Sequence, residues 1–178
     1  GSPLVIWEPT EEKYSLEEIQ LLAPVLPSKV TAVAKNYEKH AVELGVHDYT
    51  APDNPVFFNK PSTSVIGTGE NIIYPKIAQH VDHEAELAVV IGRRLRNVTP
   101  KAAARYILGY TTAQDISDRT IQNSESQWAR AKSFDTFTPL GPYIETKIDP
   151  DCLTIQLFKN GQLCQNSSTA QMIFTCSD

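Results

Sequence analysis

Between His80 and Gly92 the chain reads His-Val-Asp-His-Glu-Ala-Glu-Leu-Ala-Val-Val-Ile-Gly, and this run limits the possible folds more than any other. Its second half, Ala88-Val89-Val90-Ile91, is rich in β-branched residues and stops at Gly92, which marks a strand entering a core. Side chains alternate along a strand, so Glu84 and Glu86 leave the same face about 7 Å apart. Two carboxylates beside residues that seek a dry environment repel each other and lose hydration. A hard divalent cation with oxygen ligands, placed between them, relieves both penalties. The alternative is a solvated strand end with two charges facing water.

The rest of the chain supplies more strands than helices. Residues 3–28 form a Pro-rich lead in which Ser15 and Glu18 have capping-box spacing ahead of a short helical piece. Val30 to Val33 reads as a strand, and Lys35 to Leu44 as a helix closed by Gly45. Pro55 to Asn59 is a short aromatic strand behind a polar loop from His47 to Asn54. Thr99 and Pro100 open a short helix, after which Ile107 to Asp115 resumes as a strand with Thr111, Ala113 and Asp115 on one face. The stretch Ser117 to Trp128 is expected to be loop or short helix, and Ser133 to Pro142 an irregular connection. Leu153 to Phe158, the turn Asn160-Gly161 and Gln162 to Cys164 form the clearest hairpin, because Asn-Gly suits a type I′ turn. The expected class is therefore β-rich α+β, with a mixed sheet core and short peripheral helices. The organisation is a lead segment over 1–29 followed by one domain over 30–178.

Bulk properties exclude several roles. A net charge of -5 without a Lys/Arg block argues against nucleic acid and anionic membranes as partners. No apolar run approaches the roughly 18 residues that span a bilayer, and the start lacks a signal pattern. Gly1-Ser2 is set aside as an expression remnant. Cys152, Cys164 and Cys176 are an odd number at wide spacing without neighbouring histidines, so a reducing, cytoplasmic setting is expected.

Charge that a core would not accept unpaired falls in three places: Glu84 with Glu86; Asp115 followed by Arg119 and Gln122; and Lys132. Three carboxylates suit octahedral Mg²⁺ or Mn²⁺, although Asp115 could equally end its strand in an Asx turn. His40 and Glu43, at i and i+3 on the expected helix, would share a face, so the carboxylate could polarise the imidazole as a general base. A solvated face is the plainer alternative.

Taken in order, the motifs add up. Lys35-Asn36-Tyr37-x-x-His40-x-x-Glu43, Pro55-Val56-Phe57-Phe58-Asn59-Lys60-Pro61 and Glu84-Ala85-Glu86-Leu87-Ala88-Val89-Val90-Ile91-Gly92 are followed by Gly109-Tyr110-Thr111-x-x-x-Asp115-x-x-x-Arg119-x-x-Gln122 and Ala131-Lys132-Ser133-Phe134. From about Val30 to its last residue the chain resembles the fumarylacetoacetate hydrolase family, in particular its smaller acylpyruvase-like members. The resemblance implies Mg²⁺ or Mn²⁺ held by Glu84, Glu86 and Asp115, with Lys132 facing a short 2-oxo acid. It places Arg119 and Gln122 at the substrate, Lys35 and Lys60 near the pocket, and His40 with Glu43 on a lid where they activate water. It further implies a homodimer.

A 2-oxo acid can chelate such an ion through one carboxylate oxygen and its 2-oxo oxygen. The ion and Lys132 then stabilise the enolate formed as the C3–C4 bond breaks. The expected reaction is hydrolysis of an acylpyruvate such as fumarylpyruvate or acetylpyruvate. Oxaloacetate decarboxylation and 2-hydroxyhepta-2,4-diene-1,7-dioate isomerisation use the same enolate. Two positions depart from the family pattern, Ala34 for a usual Gly and Thr120 for a usual Asp. The family domain continues past Met172-Ile173-Phe174 into a Gly-Thr-Pro loop, so the domain is expected to be incomplete at its C-terminus. A non-catalytic fragment that binds a metal or a 2-oxo acid is the reading from another class.

Overall fold

The computed structural model describes residues 10–37 and 50–178. Strands β1 (Val30–Ala34) and β2 (Val56–Lys60) pair antiparallel, with Val30 opposite Lys60. Alternation in this ribbon buries Ala34 and Lys60 and leaves Val33, Val56 and Phe57 exposed. After β3 (Val65–Ile66) and β4 (Val81–Asp82) comes β5 (Ala85–Ile91), then helix α1 (Pro100–Ala103), β6 (Ile107–Gln114) and β7 (Ser117–Asp118). Two short helices follow, α2 (Arg119–Ser124) and α3 (Ala129–Lys132), then β8 (Thr138–Glu145), β9 (Thr154–Lys159) and β10 (Gln162–Ser168).

The principal sheet has the order β3-β8-β6-β5, with β3 parallel to β8 and the other pairs antiparallel. This is the mixed, β-rich architecture with short helices that the sequence implied. β4 and β7 form a two-residue bridge, and β9 and β10 form the hairpin, where Asn160 and Gly161 take φ values of 53° and 77° as a type I′ turn requires.

The β5–β6 register positions the candidate site. Glu86 stands opposite Ala113 and Ala88 opposite Thr111, while the Asp115 amide donates to the Glu84 carbonyl at 2.9 Å. Opposed residues share a face, so Glu84, Glu86 and Asp115 lie on one side of the sheet. Behind them β6 meets β8 closely. A Cβ on Gly109 would collide with the Glu145 carbonyl and come within 2.7 Å of Ile144 Cγ2, so only glycine fits.

The buried set is unusual in kind. Its apolar members include Phe137, Ala131, Ile116, Ile121 and Leu140, and Lys60, Lys132, Glu84, Asp115, Ser117 and Asp118 are buried with them. Charge sits inside this core, and its pairing is a condition of folding.

Several expectations need correction. Only half of the capping box forms at Ser15: its N–H donates to Glu18 Oε2 at 3.4 Å, but its hydroxyl accepts from Glu17 N at 3.3 Å while Glu18 N turns to the Ser15 carbonyl at 3.0 Å, and the result is a turn. Pro24 and Pro27 follow too soon for a helix to repay its nucleation. Lys35, Asn36 and Tyr37 are not helical. Lys35 has φ 52°, and the Asn36 side chain both accepts from Phe174 N at 2.8 Å and donates to Phe174 O at 2.9 Å. The remainder of that expected helix, with His40 and Glu43, lies outside the described residues. Ser133 to Pro142 is not wholly irregular, since β8 starts at Thr138. A register shift between Tyr110 and Thr112 makes room for its Pro142. Thr99 precedes α1, with Pro100 at the first turn, but its hydroxyl makes no cap. The connection between β5 and β6 gathers Arg93, Arg94, Arg96, Lys101 and Arg105, all exposed, a basic block where the charge reading expects none.

Candidate active site

Four elements deliver charged side chains to one buried centre. β5 begins one residue after Glu84, β6 ends one residue before Asp115, β2 ends on Lys60, and α3 ends on Lys132. The Lys132 ammonium spends its three N–H bonds on Asp115 Oδ2 at 2.5 Å, Ser117 Oγ at 2.7 Å and Glu84 Oε2 at 2.9 Å. Lys60 donates to the other Asp115 oxygen at 2.5 Å and to the Phe137 carbonyl at 2.8 Å. Arg119 Nη2 reaches the second Glu84 oxygen at 2.6 Å. Every oxygen of Glu84 and Asp115 thus meets a cation, which is what lets two carboxylates stay buried 8–9% exposed on the same sheet face.

Arg119 extends the network outward. Its Nε donates to Asp82 at 2.8 Å and its Nη1 to the Gln122 carbonyl oxygen at 2.8 Å, while Asp82 also meets His80 at 3.0 Å. Burial opposes the charge on Arg119, but Glu84 and Asp82 outweigh it and raise its pKa. Burial likewise acts against the Asp82 carboxylate, and the bond from Arg119 overcomes it and holds the carboxyl below its usual range. For Lys60 burial dominates and lowers the ammonium's pKa, although Asp115 pulls the other way. The Tyr37 hydroxyl is raised by burial and then by the charge of Glu86, which puts these two groups in one neighbourhood.

Aromatic rings wall the centre. Lys132 Nζ lies 5.1 Å from the Phe58 ring, Phe58 meets Trp128 edge-on at 5.9 Å, and Lys35 Nζ lies 5.8 Å from Trp128. The structure therefore brings Glu84, Asp115, Lys60, Lys132, Arg119 and Gln122 into one network, with Lys35 across the aromatic pair. Glu86 projects one strand pair along. Asp82 and Ser117 were not among the expected site residues, yet both follow from alternation: Asp82 shares a face with Glu84 and Glu86, and Ser117 with Asp115.

Among the described residues no three acidic, His or Cys side chains converge into a finished metal cage. The donor set nevertheless fits a hard divalent cation in kind. It offers carboxylate oxygens only, and an ammonium already bridges Glu84 and Asp115 at the place where positive charge is required.

A family model described as Fumarylacetoacetate (FAA) hydrolase C-terminal matches residues 29–178, so the chain belongs to the fumarylacetoacetate hydrolase family. An uncharacterized protein of Archaeoglobus fulgidus is 51% identical over 159 residues, which cover 89% of this chain and 62% of the relative. The mitochondrial oxaloacetate tautomerase fahd2 of Xenopus laevis is 42% identical, over 90% of this chain and 51% of its own. Among solved structures, 5-carboxymethyl-2-hydroxymuconate delta-isomerase from Mycobacterium smegmatis superposes with TM-score 0.85 at 44% identity, covering 94% of this chain and 66% of that one. Maleylpyruvate hydrolase from Sphingobium sp. SYK-6, in complex with manganese (II) ion and pyruvate, superposes with TM-score 0.74 at 28% identity, covering 91% and 56%. This chain thus spans roughly half to two thirds of the length of these relatives.

The described residues contain no helix long and apolar enough to cross a membrane, and Cys152, Cys164 and Cys176 are free thiols.

Proposed function

We propose that this chain carries the charged centre of a divalent-metal enzyme that acts on a short 2-oxo acid through its enolate. The observation that carries the reading is Lys132, 3% exposed, with its ammonium fixed between Glu84 and Asp115. Glu84, Glu86 and Asp115 would hold Mg²⁺ or Mn²⁺, and that ion would supply two-point binding of the 2-oxo carboxylate and polarisation of its carbonyl. The chain's own residues do the rest. Lys132 presents fixed positive charge to the oxygen that becomes anionic, and it needs no reorientation because its position is set by three acceptors. Phe58 and Trp128 exclude water on one side, which strengthens that interaction. Arg119 occupies the Gln122 carbonyl oxygen, leaving the Gln122 amide N–H groups to donate to the substrate. Three of the five Arg119 N–H donors go to Asp82, Gln122 and Glu84, so Arg119 orients the site and keeps two N–H groups for the substrate. Lys35, across the Phe58–Trp128 pair, would meet the far end of the substrate. The working assembly is taken to be a homodimer.

For an acylpyruvate, water deprotonated by His40, itself oriented by Glu43, adds to the acyl carbonyl. The C–C bond to the pyruvyl carbon then breaks, its electron pair passes to the 2-oxo oxygen beside Lys132, and pyruvate enol leaves with the carboxylic acid. A second reading, keto–enol isomerisation, requires only proton transfer at the carbon next to the 2-oxo group. It is favoured by the tautomerase and isomerase among the relatives above 40% identity.

Acetylpyruvate, fumarylpyruvate and oxaloacetate, offered before and after chelation, test both. Turnover abolished by chelator and restored by Mn²⁺ is expected, and turnover indifferent to chelator would sink the proposal. His40→Ala should remove hydrolysis while sparing tautomerisation. Mn²⁺ binding without turnover of any of the three would leave a binding module.

A further inference from the structure

Strand β5 is the outer strand of the principal sheet, so among the described residues one of its edges has no neighbouring strand. At its start the backbone groups face alternately. The Glu84 carbonyl bonds inward, accepting from Asp115 N at 2.9 Å, whereas the N–H and C=O of Ala85 turn outward. Both outward groups are satisfied by one side chain from 80 residues away. Gln165 Oε1 accepts from Ala85 N at 2.8 Å, and Gln165 Nε2 donates to Ala85 O at 2.8 Å. The carboxamide reproduces the paired donor and acceptor of a neighbouring strand, and its orientation is fixed because an N–H and a C=O are its two partners. It is aimed there by the hairpin, whose register slips between Leu163 and Gln165.

Ala85 is the residue between Glu84 and Glu86. Any change in its backbone angles swings both carboxylates, so what holds Ala85 holds the spacing between them. The hairpin does not need the Gln165 side chain for its own pairing, since the Gln165 backbone already lies opposite Leu157. We propose that Gln165 is a positioning residue of the active site: its carboxamide stands in for a missing strand at Ala85 and fixes the backbone from which Glu84 and Glu86 project. This rests on the reading of Glu84 and Glu86 as metal ligands.

The test uses the full chain with Gln165→Met, which keeps length and removes both hydrogen bonds. Gln165→Glu keeps the acceptor for Ala85 N–H and loses the donor to Ala85 C=O, and it keeps the question answerable should the Met variant fail to fold. Gln156→Ala is the control, because it removes a 3.2 Å bond to Asn166 within the same hairpin without touching Ala85. Two readouts are needed, amide hydrogen exchange at Ala85 and calorimetric titration of metal-free protein with Mn²⁺. The expected result is faster exchange at Ala85 and affinity lowered about 10–100-fold in Gln165→Met, as for other groups that orient metal ligands. Gln165→Glu should fall between, and Gln156→Ala should match wild type on both readouts. Wild-type affinity in Gln165→Met, or an equal loss in Gln156→Ala, would overturn the positioning role and leave the metal site intact. A protected Ala85 amide in a wild-type protein that binds no Mn²⁺ would overturn the metal site, and the role of Gln165 with it.

Discussion

The β5–β6 pair carries charge at both ends, under opposite rules. At one end Glu84 and Asp115 are buried and each of their oxygens meets Lys60, Lys132 or Arg119. At the other, roughly 25 Å away along the strands, Arg93, Arg94, Arg96, Lys101 and Arg105 stand in solvent, with no ion pair among the described residues. Water serves the second group as partner, so its composition is free. The first group has no water, and each charge there is a condition on the others. Desolvation, more than charge density, separates a site from a solvated loop.

The most severe way to probe this contrast is Lys132→Met. It should cost about 10²–10³ in turnover, the scale for losing one preorganised group that stabilises a developing oxyanion. It should also cost about 3–5 kcal/mol of stability by leaving two buried carboxylates short of a partner, measurable by urea unfolding. Next, Glu84→Gln should abolish saturable Mn²⁺ binding in calorimetry, and retained binding would mean that the carboxylates serve structure alone. Arg119→Lys keeps the charge but not the fork that joins Asp82, Gln122 and Glu84, and a loss of about 1.5–3 kcal/mol is expected for the charged hydrogen bonds it gives up.

A smaller effect concerns pH. Because the folded-state pKa of Asp82 lies below its ordinary value, the Asp82–Arg119 pair adds stability that is fully present above about pH 4. That contribution disappears as pH falls through the lowered value. Asp82 is 40% exposed at its side chain, so the step will be shallow and sensitive to salt. Melting curves between pH 2 and pH 6 should show it in wild type and not in Asp82→Asn. Smallest of all, glutamine at Arg93, Arg94 and Arg96 together should shift stability by no more than about 0.5 kcal/mol per site. A loss there comparable with that of Lys132→Met would erase the contrast between the two ends.

What could be read from sequence was local. The β-branched run of β5, the alternation through Thr111 to Asp115, the Asn-Gly turn and Pro100 at a helix start are short-range signals, and each matched. Their order also carried the family. The failures share one cause, which is a partner distant in the chain. Ser15 and Glu18 have the right spacing, but among the described residues Leu16 and Leu22 stay exposed and give a helix no face to bury. Thr138 to Glu145 looks broken by its prolines until β6 and β3 are placed on either side. The bonds of Arg119 to Asp82, 37 residues earlier, and to Glu84 are equally invisible in the sequence. Nothing around Gln165 announces its attachment to Ala85, because a lone glutamine on a hairpin is ordinary.

Phe137 is fully buried, packs edge-on against Phe134 at 5.2 Å, and lends its carbonyl both to Lys60 at 2.8 Å and to the Ile116 amide at 3.2 Å. The hydrophobic core and the charged centre therefore meet in one residue. A substitution that repacks the ring also moves the acceptor that anchors Lys60, and through it the charge around Asp115. Such a protein cannot trade stability against chemistry at this position, because both change together. Its evolutionary freedom is diverted to surfaces such as the arginine loop, where sequence can drift without the reaction registering it.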